Sequence, residues 1–270
     1  MSSEAPQPPR SGLRLGRNRG GYFGERIDVE KLLPALHASA KKAGWNEEAI
    51  TCPDSRRLSV LHRTFANARG NIYLSAGIHG DEPAGPLALQ QLIEEDRWPD
   101  RFNYWVLPCL NPVGFERNTR EGEQGIDLNR DYLNPKTPTV QGHIQWLTHQ
   151  PTFDLALLLH EDWEANGFYL YELNPDRHPS VAEEMIAAVR SVCPIEHAEE
   201  VDGRPAEGGM IRFLGNIPER SEWPEALHLI YHKTRLNYTL EGPSDYPLEI
   251  RVQALATAVR AALTHFQPRS

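Results

Sequence analysis

Residues 153–159 read FDLALLL, an apolar run bounded by polar residues on both sides. A strand that is wet on one face alternates apolar and polar residues. A run that is apolar at nearly every position must be covered on both faces. The chain is therefore constrained to place a layer on each side of a sheet. Residues 71–75 (NIYLS), 103–108 (NYWVLP), 167–173 (GFYLYEL) and 235–240 (RLNYTL) supply further short strands. Between them the apolar spacing predicts helices over 82–98, 139–149, 181–192 and 247–265. Pro83 sits near the start of the first helix, where a missing N–H does no harm. Strands alternating with helices predict one α/β sandwich around a mixed sheet. Residues 111–138 form a long polar stretch with little periodicity, and a loop of that length inside a compact domain is usually functional.

The bulk properties narrow the field. A chain of 270 residues with 40% hydrophobic content can bury one sizeable core, here expected over residues 25–270. Residues 1–24 are rich in Pro, Gly and Arg and are expected to be a disordered arm. A net charge of −9 argues against nucleic acid as a partner. No apolar run approaches the ~18–20 residues needed to cross a membrane. The N-terminal arginines precede no apolar segment of the secretory kind, so a cytoplasmic location is expected. Cys52, Cys109 and Cys193 are scattered, giving neither a disulfide framework nor a cysteine zinc site.

Reactive residue types follow the strands. His79 and Glu82 come after NIYLSAGI, His160 after FDLALLL, and Glu241 after RLNYTL. Ligands of open α/β sheets bind outside the carboxyl ends of strands, so several strands deliver candidate groups to one rim. A catalytic zinc takes three protein ligands and keeps one open position, and two His with one Glu is a common set. His79 and Glu82 are spaced His–x–x–Glu at a strand-to-helix turn, and His160 would be the third ligand. The spacing alone is weak: 11 His and 25 Glu give about one chance match. Indeed His197 and Glu200 are another, read as a solvated surface pair. The helical pattern His–Glu–x–x–His is excluded, because His160–Glu161 is followed by Glu164.

The segments GIHGDEPAG, NPVGFERNTREGEQGIDLNRDY, LLLHEDW and TLEGPS, in this order, resemble the zinc carboxypeptidase superfamily over residues 70–260. That group includes carboxypeptidase A-like peptidases, murein-peptide amidases and the succinylglutamate desuccinylase/aspartoacylase branch. The resemblance implies a single three-layer sandwich with a mixed, mostly parallel central sheet flanked by helices. It implies one Zn2+ per chain on His79, Glu82 and His160, with Asp127 accepting the N–H of the first ligand histidine. It implies Asn129 and Arg130 as the pair holding a substrate carboxylate. Arg120 would polarise the scissile carbonyl, with Arg117 as the fallback. Glu241 would be the general base. The implied activity is hydrolysis of an amide bond in a short or cell-wall-derived peptide with a free carboxylate. An N-acyl amino acid deacylase is the second reading, and a catalytically inactive binding module the third.

The chain departs from the pattern in places. Glu161 and Asp162 follow His160, and as acids near the cleft they would repel an acidic substrate segment or favour an amine. No clear counterpart exists for the tyrosine that carboxypeptidase A-like enzymes place over the substrate. Tyr169, Tyr171 and Tyr246 are candidates, each more readily explained by packing. Arg204 and Arg212 lie in the interval that should set specificity, and a solvated loop position is the simpler explanation for both.

Overall fold

The computed structural model describes residues 14–18, 24–217 and 219–268. The elements are α1 (Val29–Lys42), β1 (Asn46–Thr51), β2 (Arg57–Arg63), β3 (Gly70–Ala76), α2 (Ala84–Glu95), β4 (Phe102–Leu107), α3 (Pro112–Arg117), α4 (Pro138–Thr148), β5 (Leu155–Asp162), β6 (Tyr169–Asn174), α5 (Ala182–Val189), β7 (Glu200–Val201), β8 (Arg204–Pro205), β9 (Met210–Leu214), α6 (Glu225–His232), β10 (Asn237–Pro243) and α7 (Leu248–His265). Eight strands form one mixed sheet in the order β1-β2-β4-β3-β5-β10-β6-β9, and β7 and β8 form a separate hairpin. The four central strands β4, β3, β5 and β10 are parallel, while β2 and β6 join them antiparallel on either side.

The apolar run becomes the central strand β5, and its alternation splits the core in two. Leu155, Leu157 and Leu159 pack with α1, α2, α5 and α7 on one face. Ala156 and Leu158 pack with α4 and α6 on the other. This is the expected three-layer α/β sandwich. Several elements carry no clear sequence signal: α1, the β1–β2 edge, β9 and α6. The stretch 111–138 is less irregular than expected. Asn111 caps α3 through its side chain, with Pro112 at the first helical position, and two single 3-10 turns follow at Glu123–Gly125 and Leu128–Arg130. Of the arm expected over 1–24, residues 1–13 and 19–23 lie outside the described residues. Among the described residues, no helix is long and apolar enough to cross a membrane.

Strand order fixes where a site can form. β3 leads through α2 to β4 on one side, and the chain then returns through α4 to β5 on the other side of β3. Side chains leaving β3 and β5 therefore face the crevice that opens at this topological switch. Two glycines of GIHGDEPAG make the exit from β3 possible. Gly77 has φ +64, a left-handed conformation that side chains rarely adopt. At Gly80 a Cβ would lie 1.9 Å from the backbone of Gly114, so only glycine lets the β3 exit lie against α3.

The same alternation turns Glu161 away from the crevice. It lies on the α7 side of β5, where its carboxylate accepts from the Ala84 N–H at the start of α2 and pairs with the fully buried Arg251 of α7. Arg251 also pairs with Glu25. Burial is the main force on Glu161 and pushes its pKa up to about 7, although Arg251 pulls the other way. Removing one partner of a buried ion pair leaves an uncompensated charge, which costs about 3–5 kcal/mol. Arg251→Ala is therefore expected to lower unfolding stability by about that amount, read from urea denaturation with an unchanged m-value.

Candidate active site

The exits of β3 and β5 bring His79, Glu82 and His160 together, all buried. One ligand atom from each lies within 4.8 Å of the others. His79 Nδ1 is 2.5 Å from Glu82 Oε1, and His160 Nδ1 is 3.0 Å from Glu82 Oε2. The Glu161 N–H donates to the same Oε2 at 3.1 Å and so fixes the carboxylate. On the far side of the His79 ring, Nε2 lies 3.2 Å from Asp127 Oδ1. A carboxylate only accepts, so Asp127 holds the proton on Nε2. Nδ1 is then a lone pair facing a second acceptor at 2.5 Å. Such a pair repels unless a proton or a cation lies between. Burial alone would depress the pKa of His79, but Glu82 and Asp127 outweigh it and lift it to about 9. Burial likewise pushes Glu82 up, and the two histidines overturn this and hold it low. This donor set fits a divalent ion with a preference for imidazole and carboxylate, and zinc suits it well.

The loop after α3 supplies the second wall. Asp127 binds His79 through one oxygen and Arg120 Nε through the other, at 3.0 Å. Arg120 Nη1 reaches within 3.5 Å of Glu82 Oε1, so the guanidinium borders the His79–Glu82–His160 cluster while remaining partly exposed. The Asp127 side chain also accepts from the Asn129 N–H at 2.8 Å, which starts the 3-10 turn carrying Asn129 and Arg130. Asn129 Oδ1 accepts from the Glu225 N–H at 2.8 Å. Since a backbone N–H can only donate, the amide orientation is set, and the Nδ2 donors are left for the cleft. Arg130 and Arg120 line the same cleft, whose volume is about 360 Å³. That is within the range of small-ligand pockets and accommodates a substrate of a few residues.

β10 supplies the third wall. Glu241 pairs in register with His160 across parallel strands, so both side chains lie on the same face of the sheet. Glu241 lines the cleft, partly exposed. Among the described residues, no donor engages its carboxylate by a hydrogen bond. Burial first, then Glu82 and Asp162, push its pKa well above the ordinary carboxylate range. A cation among His79, Glu82 and His160 would offset this, because it favours the charged form.

The remaining candidates separate cleanly. Of the two acids after His160, Glu161 has its carboxylate taken up by Ala84 and Arg251, while Asp162 lines the cleft and accepts from Tyr169 at 3.0 Å. Tyr169 and Tyr171 both line the cleft, Tyr171 donating to Asp202 at 2.6 Å. Tyr246 instead donates to the Asn166 carbonyl. Arg117 is exposed in the last turn of α3, away from the cleft lining. Arg212 pairs with Glu172 at 3.0 Å and Glu183 at 2.7 Å. Arg204 lies over the ring of Phe213 at 5.0 Å. His197 and Glu200 are exposed, as expected.

Two residues that line or support the cleft had no legible signal. Arg220 lines it, and among the described residues no hydrogen bond or ion pair engages its guanidinium. Burial, then Arg204 and Arg130, lower its pKa. Glu225, besides orienting Asn129, accepts from Tyr73 at 2.6 Å and Ser75 at 3.0 Å, tying β3 to α6 beneath the cleft. Arg220 lies in the aperiodic stretch between β9 and α6, and Glu225 opens α6 directly after it, where spacing gives no cue.

Residues 68–192 match the family model of the succinylglutamate desuccinylase/aspartoacylase catalytic domain. That span holds His79, Glu82, Arg120, Asp127, Asn129, Arg130 and His160, and ends before Glu241. No curated protein matches the chain in sequence. Among solved structures, the chain is similar to a candidate metallopeptidase from Shewanella amazonensis SB2B, at 22% identity and TM-score 0.77, covering 92% of this chain and 99% of that one. It is also similar to a metallo-carboxypeptidase from Burkholderia cenocepacia, at 15% identity and TM-score 0.67, covering 90% and 70%. Carboxypeptidase A from Helicoverpa armigera aligns at 14% identity and TM-score 0.63, covering 89% and 74%. At these identities the structural likeness is one of fold. The fold is that of the zinc carboxypeptidase-like superfamily, and the resemblance read from the sequence motifs is borne out.

Proposed function

We propose that the chain is a zinc-dependent hydrolase that cleaves an amide bond next to a free carboxylate in a small substrate. The observation that carries this reading is the convergence of two histidine Nδ1 atoms on the Glu82 carboxylate, with Asp127 fixing the tautomer of His79 from behind. Zinc held by His79, Glu82 and His160 would supply a Lewis acid and lower the pKa of water at the open position. Asn129 and Arg130 hold the substrate carboxylate, Arg130 through its planar fork. Arg120, fixed by Asp127, presents its remaining donors to the oxygen on which negative charge develops. Glu241 takes a proton from the attacking water and returns it to the leaving nitrogen.

The substrate is a short peptide in the first reading, including one derived from a cell wall. The family match over residues 68–192 favours a second reading, an N-acyl amino acid, for the same machinery. The purified protein with added zinc, assayed against a panel of both classes by detection of released amine, tests the proposal. Hydrolysis of either class supports it, and inertness toward both classes overturns it. Arg130→Ala is expected to raise KM by about 10- to 100-fold for the active class, as loss of a charge-assisted hydrogen bond implies. Steady-state kinetics check this, with kcat expected to change much less than KM.

A further inference from the structure

Asp245 follows Glu241 by four residues and is almost fully buried. A buried carboxylate needs donors, and here they come from the opposite end of the chain. Arg14 Nε pairs with Oδ2 at 3.1 Å, and the Arg17 N–H donates to Oδ1 at 2.9 Å. The backbone N–H groups of Gly16 and Asn18 also help to hold its pKa low, against burial that would raise it. Gly16 has φ +66, which lets successive N–H groups turn toward one anion. The Leu15 N–H donates to the Asp245 carbonyl at 2.7 Å. The segment thus wraps a single side chain.

It also touches the loop that leaves β5. Arg14 donates to Asn166 Oδ1, and Asn18 Nδ2 reaches the Trp163 carbonyl at 3.5 Å. Trp163 and Ser244 both line the cleft. Two loops that leave neighbouring strands, one after His160 and one after Glu241, are therefore joined outside the sheet. Among the described residues two further hydrogen bonds join them, Ser244 N–H to the Asp162 carbonyl at 2.9 Å and Tyr246 to the Asn166 carbonyl at 2.9 Å. A second anchor follows, since Arg17 pairs with Glu25, which pairs with Arg251 behind Glu161.

We propose that residues 14–18 form a strap and that Asp245 is a positioning residue, holding the loops after β5 and β10 in fixed relation so that the outer wall of the cleft is set. Its kinetic part rests on the hydrolase reading, and its structural part does not. The test compares full-length wild type with Asp245→Asn, which keeps the size and removes the charge. Gly16→Ala is the second variant. Its Cβ meets nothing within 4 Å, so it acts only through the left-handed backbone. Hydrogen exchange read by mass spectrometry is expected to quicken by about 10-fold in residues 163–168 and 242–247 of Asp245→Asn, and by less in Gly16→Ala, with α7 and the interior of β5 unchanged. Zinc content should not move. On an active substrate, KM should rise about threefold or more while kcat stays within about twofold. Unchanged exchange in both loops overturns the strap, as does a uniform rise across the sheet in both variants. Loosened loops with unaltered KM overturn the positioning role. The exchange arm needs no substrate, so failure of the hydrolase reading remains distinguishable.

Discussion

Glu241→Gln is expected to reduce kcat by about 10²- to 10⁴-fold, the usual worth of a positioned general acid–base group, while leaving zinc content at the wild-type level. Glutamine keeps the shape of the side chain but cannot accept a proton. The carboxylate lies one strand over from His160 and in register with it, and it lines the cleft with no hydrogen-bond donor assigned to it among the described residues. A structural carboxylate in such a place would be tied down, as Glu161 is by Arg251 and Ala84. Substitution at a group that only packs would leave turnover near wild type. Retention of more than about a tenth of the activity would place the base elsewhere, with Asp162 and Asp81 among the other acids that line the cleft. Metal content must be measured on the same preparation, so that loss of turnover is not confused with loss of the ion.

His79→Ala is expected to abolish stoichiometric zinc, from about one ion per chain to less than about a tenth, since a three-ligand site loses both a donor and the residue that Asp127 holds in place. Elemental mass spectrometry after dialysis against zinc-free buffer reads this directly. The variant should remain folded, because His79 belongs to neither of the two large apolar clusters that fill the core. Circular dichroism checks that point. Asp127→Ala should weaken zinc by about 10- to 100-fold without abolishing it, the usual effect of losing a carboxylate behind a ligand histidine. Equal loss in both variants would mean that Asp127 is itself essential to the site. Wild type that takes up no zinc after reconstitution would remove the basis for the proposed chemistry.

The layered fold was already legible in the sequence, because a strand that is apolar at every position from Leu155 to Leu159 requires cover on both faces whatever lies around it. So was the rim on which the chemistry sits, since reactive residues follow strand after strand and parallel strands end at one edge. His79, Glu82, His160, Asp127, Asn129, Arg130, Arg120 and Glu241 were all readable from motifs, and the structure brings them to one cleft, with Asp127 behind His79 and the others lining it. Orientation and long-range partnership were settled by packing. Glu161 and Asp162 are adjacent in sequence, yet the two-residue period of β5 sends the first carboxylate to Arg251 of α7 and the second to Tyr169 in the cleft. Arg212 and Arg220 look alike in sequence, yet the first is neutralised by Glu172 and Glu183 while the second faces the cleft. Asp245 meets donors more than 200 residues away. Such pairings leave no local pattern, because burial and charge compensation are settled only when distant segments share one dry space.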